Sequence, residues 1–567
     1  MSPVAGSSRS SGSSKPQNGA DLLVEAMTAV GVEIVFGLPG VHNLALWRSL
    51  SRSPIRLVTV RHEQAAAYAA DGYARATGRC GLALTTTGPG AANTLGAVGE
   101  AWAGRSPIVV LATDIPSTLR RRGVYRGALH EMVDQGAMFA PLVKKVMKVE
   151  RAFDAGEVLS AAISEALSPP SRPVYVEVPT DFLSEDVQGV ENGGPIKVEA
   201  PRIVATEDAD RDLLDAAVDL IHKSERPLIW VGGGAVASSA GAAVALLALR
   251  LAAPVLTTYQ ARGLLGLEHP CAVGVPPHMP AAGRLWDEAD LVIGIGTDFD
   301  GMMTQNWRMP APKHLAAINV DAVDASKSYA PEVMIVADAA VGTRALADAL
   351  VDAPAGRLNA LQDRLGRLRG QVRDELVADQ PEAVEFLDEF NAAVPSDCVV
   401  VADMCIPGYW LAGFHQVSGP RRLSYPVGWG TLGFAFPAAI GAALGSSSPV
   451  VSVSGDGGFL FCCGELATVV QEQVPLTAVI VDDGGYGMLR YDQRSAGEEP
   501  FGVDLIAPDY EALARSFGVE AETVDGLGKE FGVALADHVR RPTASVLVAR
   551  ASLDPPPTTS PRWYRSR

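Results

Sequence analysis

Short apolar runs rich in β-branched residues alternate along this chain with longer segments whose apolar residues recur at helical spacing. Runs of the first kind are typical of buried strands in a parallel sheet, and segments of the second kind are typical of the helices that cover it. The alternation occurs in three blocks, which predicts an α/β protein with three doubly wound parallel-sheet domains. The predicted domains comprise residues 18–190, 191–360 and 375–552, and the predicted tails comprise residues 1–17 and 553–567.

Length and composition fit a multidomain enzyme. A chain of 567 residues is too long for one hydrophobic core. The net charge of −18 argues against non-specific binding of nucleic acid, and no apolar run approaches the roughly 20 residues of a membrane span. The first 17 residues are rich in Ser and Gly and lack the apolar region of a secretory signal, so a disordered tail is expected. The six cysteines show no CxxC pairing, which indicates reduced residues of a cytoplasmic protein.

A predicted strand–helix–strand unit in the third domain carries the strongest chemical signal. The first strand ends at residues 455–458 (Gly-Asp-Gly-Gly), and the second ends at residues 482–485 (Asp-Asp-Gly-Gly). A right-handed crossover places both strand ends at one edge of the sheet, so Asp456 and Asp483, 27 positions apart, are expected to be neighbours. Carboxylates suit Mg²⁺ or Ca²⁺, and glycines let backbone N–H groups approach phosphate. The alternative is two ordinary turns, because Gly-Asp-Gly is common in turns.

These paired motifs resemble the cofactor signature of thiamine-diphosphate enzymes, and residues 455–488 most resemble the acetolactate synthase-like group of large catalytic subunits. The resemblance covers residues 18–550 and implies pyrimidine-binding, central and diphosphate-binding domains in that order. The family commonly has Asn-Asn or Asn-Asp where this chain has Asp482-Asp483. The implied Mg²⁺ ligands are Asp456, Asp483 and the backbone oxygen of Gly485. The implied cofactor-binding residues are Gly430, Leu432, Gly455, Asp456, Gly457, Gly458, Asp483, Gly485, Tyr486 and Met488.

Residues 428–437 resemble the segment that bends the cofactor in this family. The resemblance implies that the side chain of Leu432 wedges the cofactor into its bent form. It also implies that the carbonyl of Gly430 accepts a hydrogen bond from the 4′-amino group. The alternative for Leu432 is an ordinary core residue.

In the first domain, Glu63 follows a predicted strand and begins a predicted helix. The alternative to a functional role is a first-turn glutamate favoured by the helix dipole. Residues 61–64, 72–75 and 87–90 together resemble the pyrimidine-binding domain of the same family. The resemblance implies that Glu63 is catalytic: its counterpart hydrogen-bonds N1′ of the aminopyrimidine and promotes the proton transfer that activates the cofactor.

Residues 127–134 resemble the family loop that reaches over the reacting carbon. Acetolactate synthases usually have Phe-Gln where this chain has Leu129-His130, so the second substrate stays open. His130 is a candidate catalytic acid/base, with a surface histidine as the alternative. Leu129 and Arg490 are candidate substrate residues. Arg490 could hold a carboxylate, and the alternative is a solvent-facing helix residue.

The central domain contains a strand, a Gly-Gly-Gly turn and a helix over residues 227–237, which alone is a weak dinucleotide signal. The alternative is a structural domain with tight turns. Acetolactate synthases bind FAD here, with an acid near Asp321. Residues 297–301 read Thr-Asp-Phe-Asp-Gly where the family typically has Arg-Phe-Asp-Asp-Arg, and the missing arginine argues against FAD.

The resemblance implies a thiamine-diphosphate- and Mg²⁺-dependent carboligase that decarboxylates a 2-oxo acid. The specific expectation is an acetolactate synthase of branched-chain amino acid biosynthesis, which converts two pyruvates to 2-acetolactate and CO₂. The alternatives are a non-ligating 2-oxo acid decarboxylase, a carbon–carbon lyase or ligase of specialised metabolism, and a non-catalytic scaffold. In the family the counterpart of Glu63 meets the metal loop across a subunit interface, so a homodimer or homotetramer is expected. A regulatory subunit is left open.

Overall fold

The chain forms three parallel sheets in the computed structural model, which describes residues 18–121, 123–187 and 211–559. The strands of the first sheet are β1 (Ile34–Gly37), β2 (Arg56–Thr59), β3 (Gly81–Thr85), β4 (Ile108–Asp114), β5 (Lys145–Lys148) and β6 (Val174–Pro179). Those of the second are β7 (Pro227–Val231), β8 (Val255–Thr257), β9 (Leu291–Ile295), β10 (Leu315–Asn319) and β11 (Val333–Val336). Those of the third are β12 (Val399–Ala402), β13 (Leu423–Ser424), β14 (Val450–Gly455), β15 (Thr477–Asp482), β16 (Glu520–Asp525) and β17 (Ser545–Arg550).

Helices connect the strands and cover both faces of each sheet. In the first domain they are α1 (Gly19–Ala29), α2 (Leu44–Leu50), α3 (Glu63–Thr77), α4 (Pro89–Ala92), α5 (Leu95–Ala103) and α6 (Ala155–Leu167). In the second they are α7 (Arg211–Lys223), α8 (Gly233–Ala237), α9 (Gly241–Leu251), α10 (Pro280–Glu288), α11 (Ala322–Ser326) and α12 (Ala339–Asp348). The rest are α13 (Ala355–Asp379), α14 (Pro381–Ala393), α15 (Ile406–Phe414), α16 (Ala435–Gly445), α17 (Asp456–Phe459), α18 (Leu466–Glu472), α19 (Gly487–Ser495), α20 (Tyr510–Ser516) and α21 (Lys529–Val539).

The three sheets confirm the predicted fold class. Their strand orders are β2-β1-β3-β4-β6-β5, β11-β10-β9-β7-β8 and β13-β12-β14-β15-β17-β16, and every pairing between strands is parallel. Strands β3, β4, β7 and β9 are buried along their whole length because helices cover both faces. Each sheet reverses its strand order beside its first strands, which creates a crevice at the carboxyl edge where ligands of such folds bind.

The domain borders differ in two places from the predicted ones. Helix α13 spans residues 355–379, and it therefore bridges the predicted end of the second domain at 360 and the predicted start of the third at 375. The predicted tail from 553 is ordered as far as 559: the indole N–H of Trp410 donates to the carbonyl of Asp554 at 2.9 Å, and Thr558 is buried. The predicted tail at 1–17 and the border at 190 lie outside the described residues.

Helix α3 of the first domain packs against α16 of the third with almost no space between the two backbones. A Cβ atom on Gly72 would lie 1.9 Å from the carbonyl oxygen of Ala438, and one on Gly441 would lie 1.8 Å from that of Ala69. Only glycine allows this approach. Because α3 begins at Glu63, the contact fixes the candidate catalytic glutamate relative to the third domain.

The described residues contain no helix that is long and apolar enough to cross a membrane. All six cysteines lie in the described part of the chain, and none forms a disulfide there.

Candidate active site

The two acidic residues of the third domain meet at the carboxyl edge of its sheet. Strands β14 and β15 are neighbours, with Gly455 in register with Val481, so Asp456 and Asp483 directly follow paired strand ends. Asp456 is 1% exposed, and Asp483 is half-buried. The structure therefore brings together the pair of carboxylates that the crossover rule predicts.

The pair lacks hydrogen-bond donors within the described residues. Neither carboxylate oxygen of Asp456 has a partner, and Oδ1 of Asp483 has none. Burial and the neighbouring Asp483 raise the pKa of Asp456 to about 7, and burial raises the pKa of Asp483 to about 6. The two ionised carboxylates repel each other, and a divalent cation between them would relieve both the repulsion and the desolvation of the buried Asp456. The donor set therefore fits Mg²⁺.

A third protein ligand for such an ion would come from the backbone. The described residues contain no group of three or more His, Cys, Asp or Glu side chains arranged to hold a metal. Gly485 has a φ of +152° and forms an antiparallel bridge with Asp504, which holds the loop after β15 in one shape. A Cβ atom on Gly487 would lie 2.0 Å from Oδ2 of Asp483, so this glycine leaves the room that the carboxylate occupies.

Arg490 supports this loop from α19. Its Nε donates to Asp504 at 2.9 Å, and its Nη1 donates to the backbone carbonyl of Asp483 at 3.1 Å. Its Nη1 also lies 3.8 Å from Oδ1 of Asp483. The guanidinium, which sequence analysis considered for a substrate carboxylate, is thus already engaged by the metal loop.

The remaining predicted residues of the metal loop pack closely around it. A Cβ atom on Gly457 would lie 2.8 Å from the ring of Tyr486, and one on Gly458 would lie 2.9 Å from Oδ2 of Asp403. Met488, in the first turn of α19, is half-buried. Both glycines are buried, and only glycine fits at these two positions.

Asp403 holds the segment predicted to bend the cofactor. It is fully buried and accepts hydrogen bonds from the amides of Gly433 at 2.9 Å and Phe434 at 3.3 Å. Burial raises its pKa to about 6, against the effect of these amides. The sequence showed Asp403 only as a strand end, because its partners lie 30 residues further along the chain. Leu432, directly before them, is half-buried and so retains a surface for contact with a ligand.

The same segment is tied to the first domain. The hydroxyls of Thr431 and Tyr68 lie 2.5 Å apart, and Tyr68 is on α3, the helix that Glu63 begins. Gly430 has a φ of +72°, a conformation that favours glycine. Its amide faces the buried carboxyl of Glu100, whose pKa burial raises to about 7.

Glu63 is buried at the start of α3, with 7% of its surface exposed. Its Oε2 accepts a hydrogen bond from the side chain of Asn93 at 3.0 Å. The backbone before it is held by Glu465, which accepts from the amide of Arg61 at 3.0 Å and from that of His62 at 3.1 Å. Glu465 is 2% exposed and follows Asp456 by nine positions, so one short segment connects the metal loop to the support of Glu63.

His130 stands beside a second histidine that sequence analysis did not single out. The rings of His130 and His42 lie edge to face with centroids 5.1 Å apart, and the Nδ1 atom of each is buried without a partner within the described residues. Burial, and then the nearby His130, lower the pKa of His42. The neighbouring Leu129 is 66% exposed. The Gly-Val-His sequence at 40–42 does not by itself indicate a site, because only the fold brings His42 close to the loop that carries His130.

The central domain has a cleft of about 320 Å³ at its strand-order reversal, lined by residues 232–234 and 296–298. The chain itself occupies the space beside Gly232, because a Cβ atom on this residue would lie 2.4 Å from the carbonyl oxygen of Gly296. The nearby cations are neutralised, since Arg105 pairs with Asp298 and Asp324, and Lys327 pairs with both. These residues do not fit the diphosphate of FAD.

The fold is that of a multidomain α/β enzyme, and its candidate site is the pair of acids at the carboxyl edge of the third sheet. Comparison with known proteins agrees: residues 17–138 match the N-terminal TPP binding domain of thiamine pyrophosphate enzymes, residues 214–346 the central domain, and residues 404–549 the C-terminal TPP binding domain. The chain belongs to the thiamine pyrophosphate (thiamine diphosphate) enzyme family, and it is of the acetolactate synthase-like type.

Several curated relatives are similar over most of their length. A probable 2-ketoarginine decarboxylase of Pseudomonas aeruginosa is 34% identical over 503 residues, which cover 88% of this chain and 87% of the relative. A probable acetolactate synthase large subunit of Methanocaldococcus jannaschii is 32% identical, with 89% and 87% covered. The acetolactate synthase isozyme 2 large subunit of Escherichia coli is 30% identical, with 89% and 91% covered.

Proposed function

We propose that the chain is a Mg²⁺-dependent decarboxylating carboligase for 2-oxo acids. The observation that carries this proposal is the pair Asp456 and Asp483 at neighbouring strand ends, three of whose carboxylate oxygens are buried without a hydrogen-bond partner in the described part of the chain. In the proposed site, these two carboxylates and the carbonyl of Gly485 would hold Mg²⁺, and the backbone at 457–458 is assigned to the diphosphate. Thiamine diphosphate, when bound, supplies the electron sink that allows CO₂ to leave a 2-oxo acid.

The chain's own residues orient the cofactor and move its proton. Glu63 would share a proton with N1′ of the aminopyrimidine, since it is buried and its Oε2 is oriented by Asn93. The carbonyl of Gly430 would accept from the 4′-amino group, and Leu432 would support the bend. We assign His130, together with His42, to proton exchange near the reacting carbon, and Leu129 to the loop over it. Arg490 we assign to the metal loop rather than to a substrate carboxylate.

The specific reaction we propose is 2-acetolactate formation from two pyruvates. The C1–C2 bond of the donor breaks with release of CO₂, its C2 bonds to the carbonyl carbon of the acceptor, and the acceptor oxygen takes up one proton. The alternative is decarboxylation without ligation, which the similarity to a probable 2-ketoarginine decarboxylase favours.

Product analysis separates these reactions. The protein would be incubated with Mg²⁺, thiamine diphosphate and single 2-oxo acids, including pyruvate and 2-oxo-5-guanidinovalerate. Acetolactate from pyruvate supports the first reaction, and an aldehyde as the only organic product supports the second. Release of no CO₂ from any acid, together with no Mg²⁺-dependent binding of thiamine diphosphate by calorimetry, would instead support a non-catalytic scaffold.

We also propose a homodimer or homotetramer. Two large aromatic side chains flank the site and are half exposed: Trp429 at 50% and Phe461 at 56%. Exposed apolar groups beside a cofactor segment are typical of a surface that a second subunit covers. Sedimentation velocity should show a species of twice or four times the chain mass of 59.3 kDa, and an active monomer would contradict the assignment. The unpaired cysteines support a cytoplasmic location.

A further inference from the structure

A second cleft, of about 280 Å³, lies between the central and third domains. We name it the tyrosine–methionine cleft after six of the side chains that line it: Tyr259, Tyr409, Tyr425, Met302, Met404 and Met488. The ordered segment after β17 closes one side through Thr558 and Thr559.

This cleft opens beside the proposed cofactor bend. A Cβ atom on Gly430 would lie 3.3 Å from Cε of Met404, so Met404 belongs both to the cleft wall and to the surroundings of that bend. The hydroxyl of Tyr425 donates to the sulfur of Met404 at 3.1 Å and holds it there. Met488, which also lines the cleft, follows the metal loop by three residues. A group in the cleft would therefore be next to the reacting end of the cofactor.

Aromatic, apolar and uncharged polar side chains line the cleft, together with one imidazole, that of His278. None of the described residues that line it is Asp, Glu, Lys or Arg. The ring of Tyr425 packs edge to face with Tyr259 at 5.9 Å and with Tyr409 at 6.4 Å. Burial raises the pKa of Tyr259 to about 12 and that of Tyr425 well above its ordinary value, so the phenols carry no charge near neutral pH. Tyrosine edges and methionine sulfurs favour aromatic and apolar ligands.

One wall of the cleft is held in an unusual backbone conformation. Gln305, Asn306 and Trp307 are consecutive non-glycine residues with φ values of +53°, +56° and +58°. The amide of Asn306 donates to the carbonyl of Gly301 at 2.6 Å, and the indole of Trp307 donates to that of Phe299 at 3.2 Å. Such conformations persist where the surrounding structure enforces them, and they concentrate at functional sites. The strained segment shapes the wall with the side chains of residues 305 and 306.

The size of the cleft exceeds what a second pyruvate needs. A cavity of about 150 Å³ is enough to bind benzene. The cleft has 280 Å³, so the methyl group of pyruvate would leave most of it unfilled, whereas a ring beyond the carbonyl group would occupy about half of it. We propose that the tyrosine–methionine cleft receives the side chain of the acceptor, a carbonyl compound with a bulky, uncharged aromatic or apolar group. This inference rests on the proposed carboligase function and adds to pyruvate a second, better-used class of acceptor.

The test compares acceptors of matched size and different charge. The holoenzyme would receive the 2-oxo acid that releases CO₂ fastest as donor, with benzaldehyde, 4-formylbenzoate or acetaldehyde as acceptor, and hydroxyketones would be quantified by chromatography. We expect kcat/KM for benzaldehyde to exceed that for acetaldehyde by at least about tenfold, because the ring fills an apolar site. We expect an excess of at least about tenfold over 4-formylbenzoate, because its carboxylate would be buried without a partner.

Each outcome decides between the inference and the function beneath it. Equal or greater use of acetaldehyde, or of 4-formylbenzoate, would overturn the inference while carboligation stands. Release of CO₂ with no hydroxyketone from any acceptor would overturn the inference and support the simple decarboxylase. Release of no CO₂ from any 2-oxo acid would overturn the proposed function, and the inference with it.

A pair of variants tests the location. Thr559 lines the cleft from an exposed turn, so Thr559→Trp should fill the cleft without disturbing the core. We expect it to lower the benzaldehyde-to-acetaldehyde ratio of kcat/KM at least about tenfold. Val351→Trp introduces the same side chain at a position that is 82% exposed and does not line the cleft, so the ratio should stay unchanged. An unchanged ratio in Thr559→Trp, with a wild-type unfolding temperature, would contradict the assignment.

Discussion

Replacing Asp456 by Asn should stabilise the metal-free protein against unfolding. The same substitution should abolish activity in the presence of Mg²⁺ and thiamine diphosphate. In the metal-free state the ionised carboxylate of Asp456 lowers the stability of the folded protein, because burial and Asp483 raise its pKa from 3.8 to about 7. A raised pKa in an acid means that the ionised form is disfavoured by folding. The resulting destabilisation is absent below about pH 4, develops as the pH rises toward 7, and is complete above it.

The pKa of Asp456 converts directly to a free energy. A rise from 3.8 to about 7 corresponds to roughly 4 kcal/mol at pH 8, which is an upper limit because Asp483 shares the repulsion. The side chain is 1% exposed, so solvent screens little of this cost. Asn has nearly the same volume and carries no charge. Asp456→Asn should therefore raise the free energy of unfolding of the metal-free protein by up to about 4 kcal/mol.

Thermal unfolding at pH 8 would measure both effects. In EDTA, Asp456→Asn should unfold at a higher temperature than the wild type. With Mg²⁺ and thiamine diphosphate, the wild type should gain stability through ligand binding, and the variant should gain almost none. Asp492→Asn, an exposed acid on α19, is the control and should behave as the wild type in EDTA. A variant that is less stable without metal, or that keeps the full gain with cofactor, would refute this reasoning.

Two further changes probe the supports of the site, and a third probes the pH dependence of stability. Glu465→Ala removes the acceptor of two backbone amides directly before Glu63 and should lower the rate of CO₂ release at least about tenfold. Glu465→Gln retains an acceptor oxygen and should recover most of that rate, and equal losses in the two variants would argue against a positioning role. Gly487→Ala places a methyl group 2.0 Å from Oδ2 of Asp483 and should weaken Mg²⁺ binding in calorimetry at least about tenfold. The control Gly366→Ala, on an open face of α13, should leave Mg²⁺ binding unchanged. Similar Mg²⁺ affinities of the two variants would contradict Asp483 as a ligand. His415 is buried, and burial lowers its pKa to about 3, so the folded protein resists a proton that the unfolded chain accepts below pH 6.5. In urea titrations, the free energy of unfolding of the wild type should fall by about 2 kcal/mol between pH 6.5 and 5, and that of His415→Gln should fall by less. Equal falls in the two proteins would exclude this histidine as the cause.

The fold and the acidic pair could be predicted because local patterns determine them. The apolar runs of β14 and β15 are too short and too β-branched for helices, and a parallel crossover has one strongly preferred hand. Together these rules leave Asp456 and Asp483 at one edge of one sheet. The same rules predicted the position of Glu63 at the junction of a strand and a helix.

The supports of the site could not be predicted, because their partners are distant in sequence. Glu465 accepts from amides about 404 positions earlier, and no local pattern marks an acid that caps a remote backbone. Asp403 and His42 could not be predicted for the same reason, because their partners Gly433 and His130 are also distant in sequence. The segment after β17 has the composition of a tail, yet Thr558 is buried against the tyrosine–methionine cleft, because tertiary packing outweighs what Pro and Thr prefer locally.

The central claim is that a metal-held diphosphate and a buried glutamate act on the same cofactor. CO₂ release from 2-oxo acids by Glu63→Gln, measured beside calorimetry of thiamine diphosphate with Mg²⁺, tests it most directly. The account predicts that CO₂ release falls at least about a hundredfold, because the variant cannot share a proton with N1′, while Mg²⁺-dependent cofactor binding persists. Undiminished CO₂ release by Glu63→Gln would contradict the account.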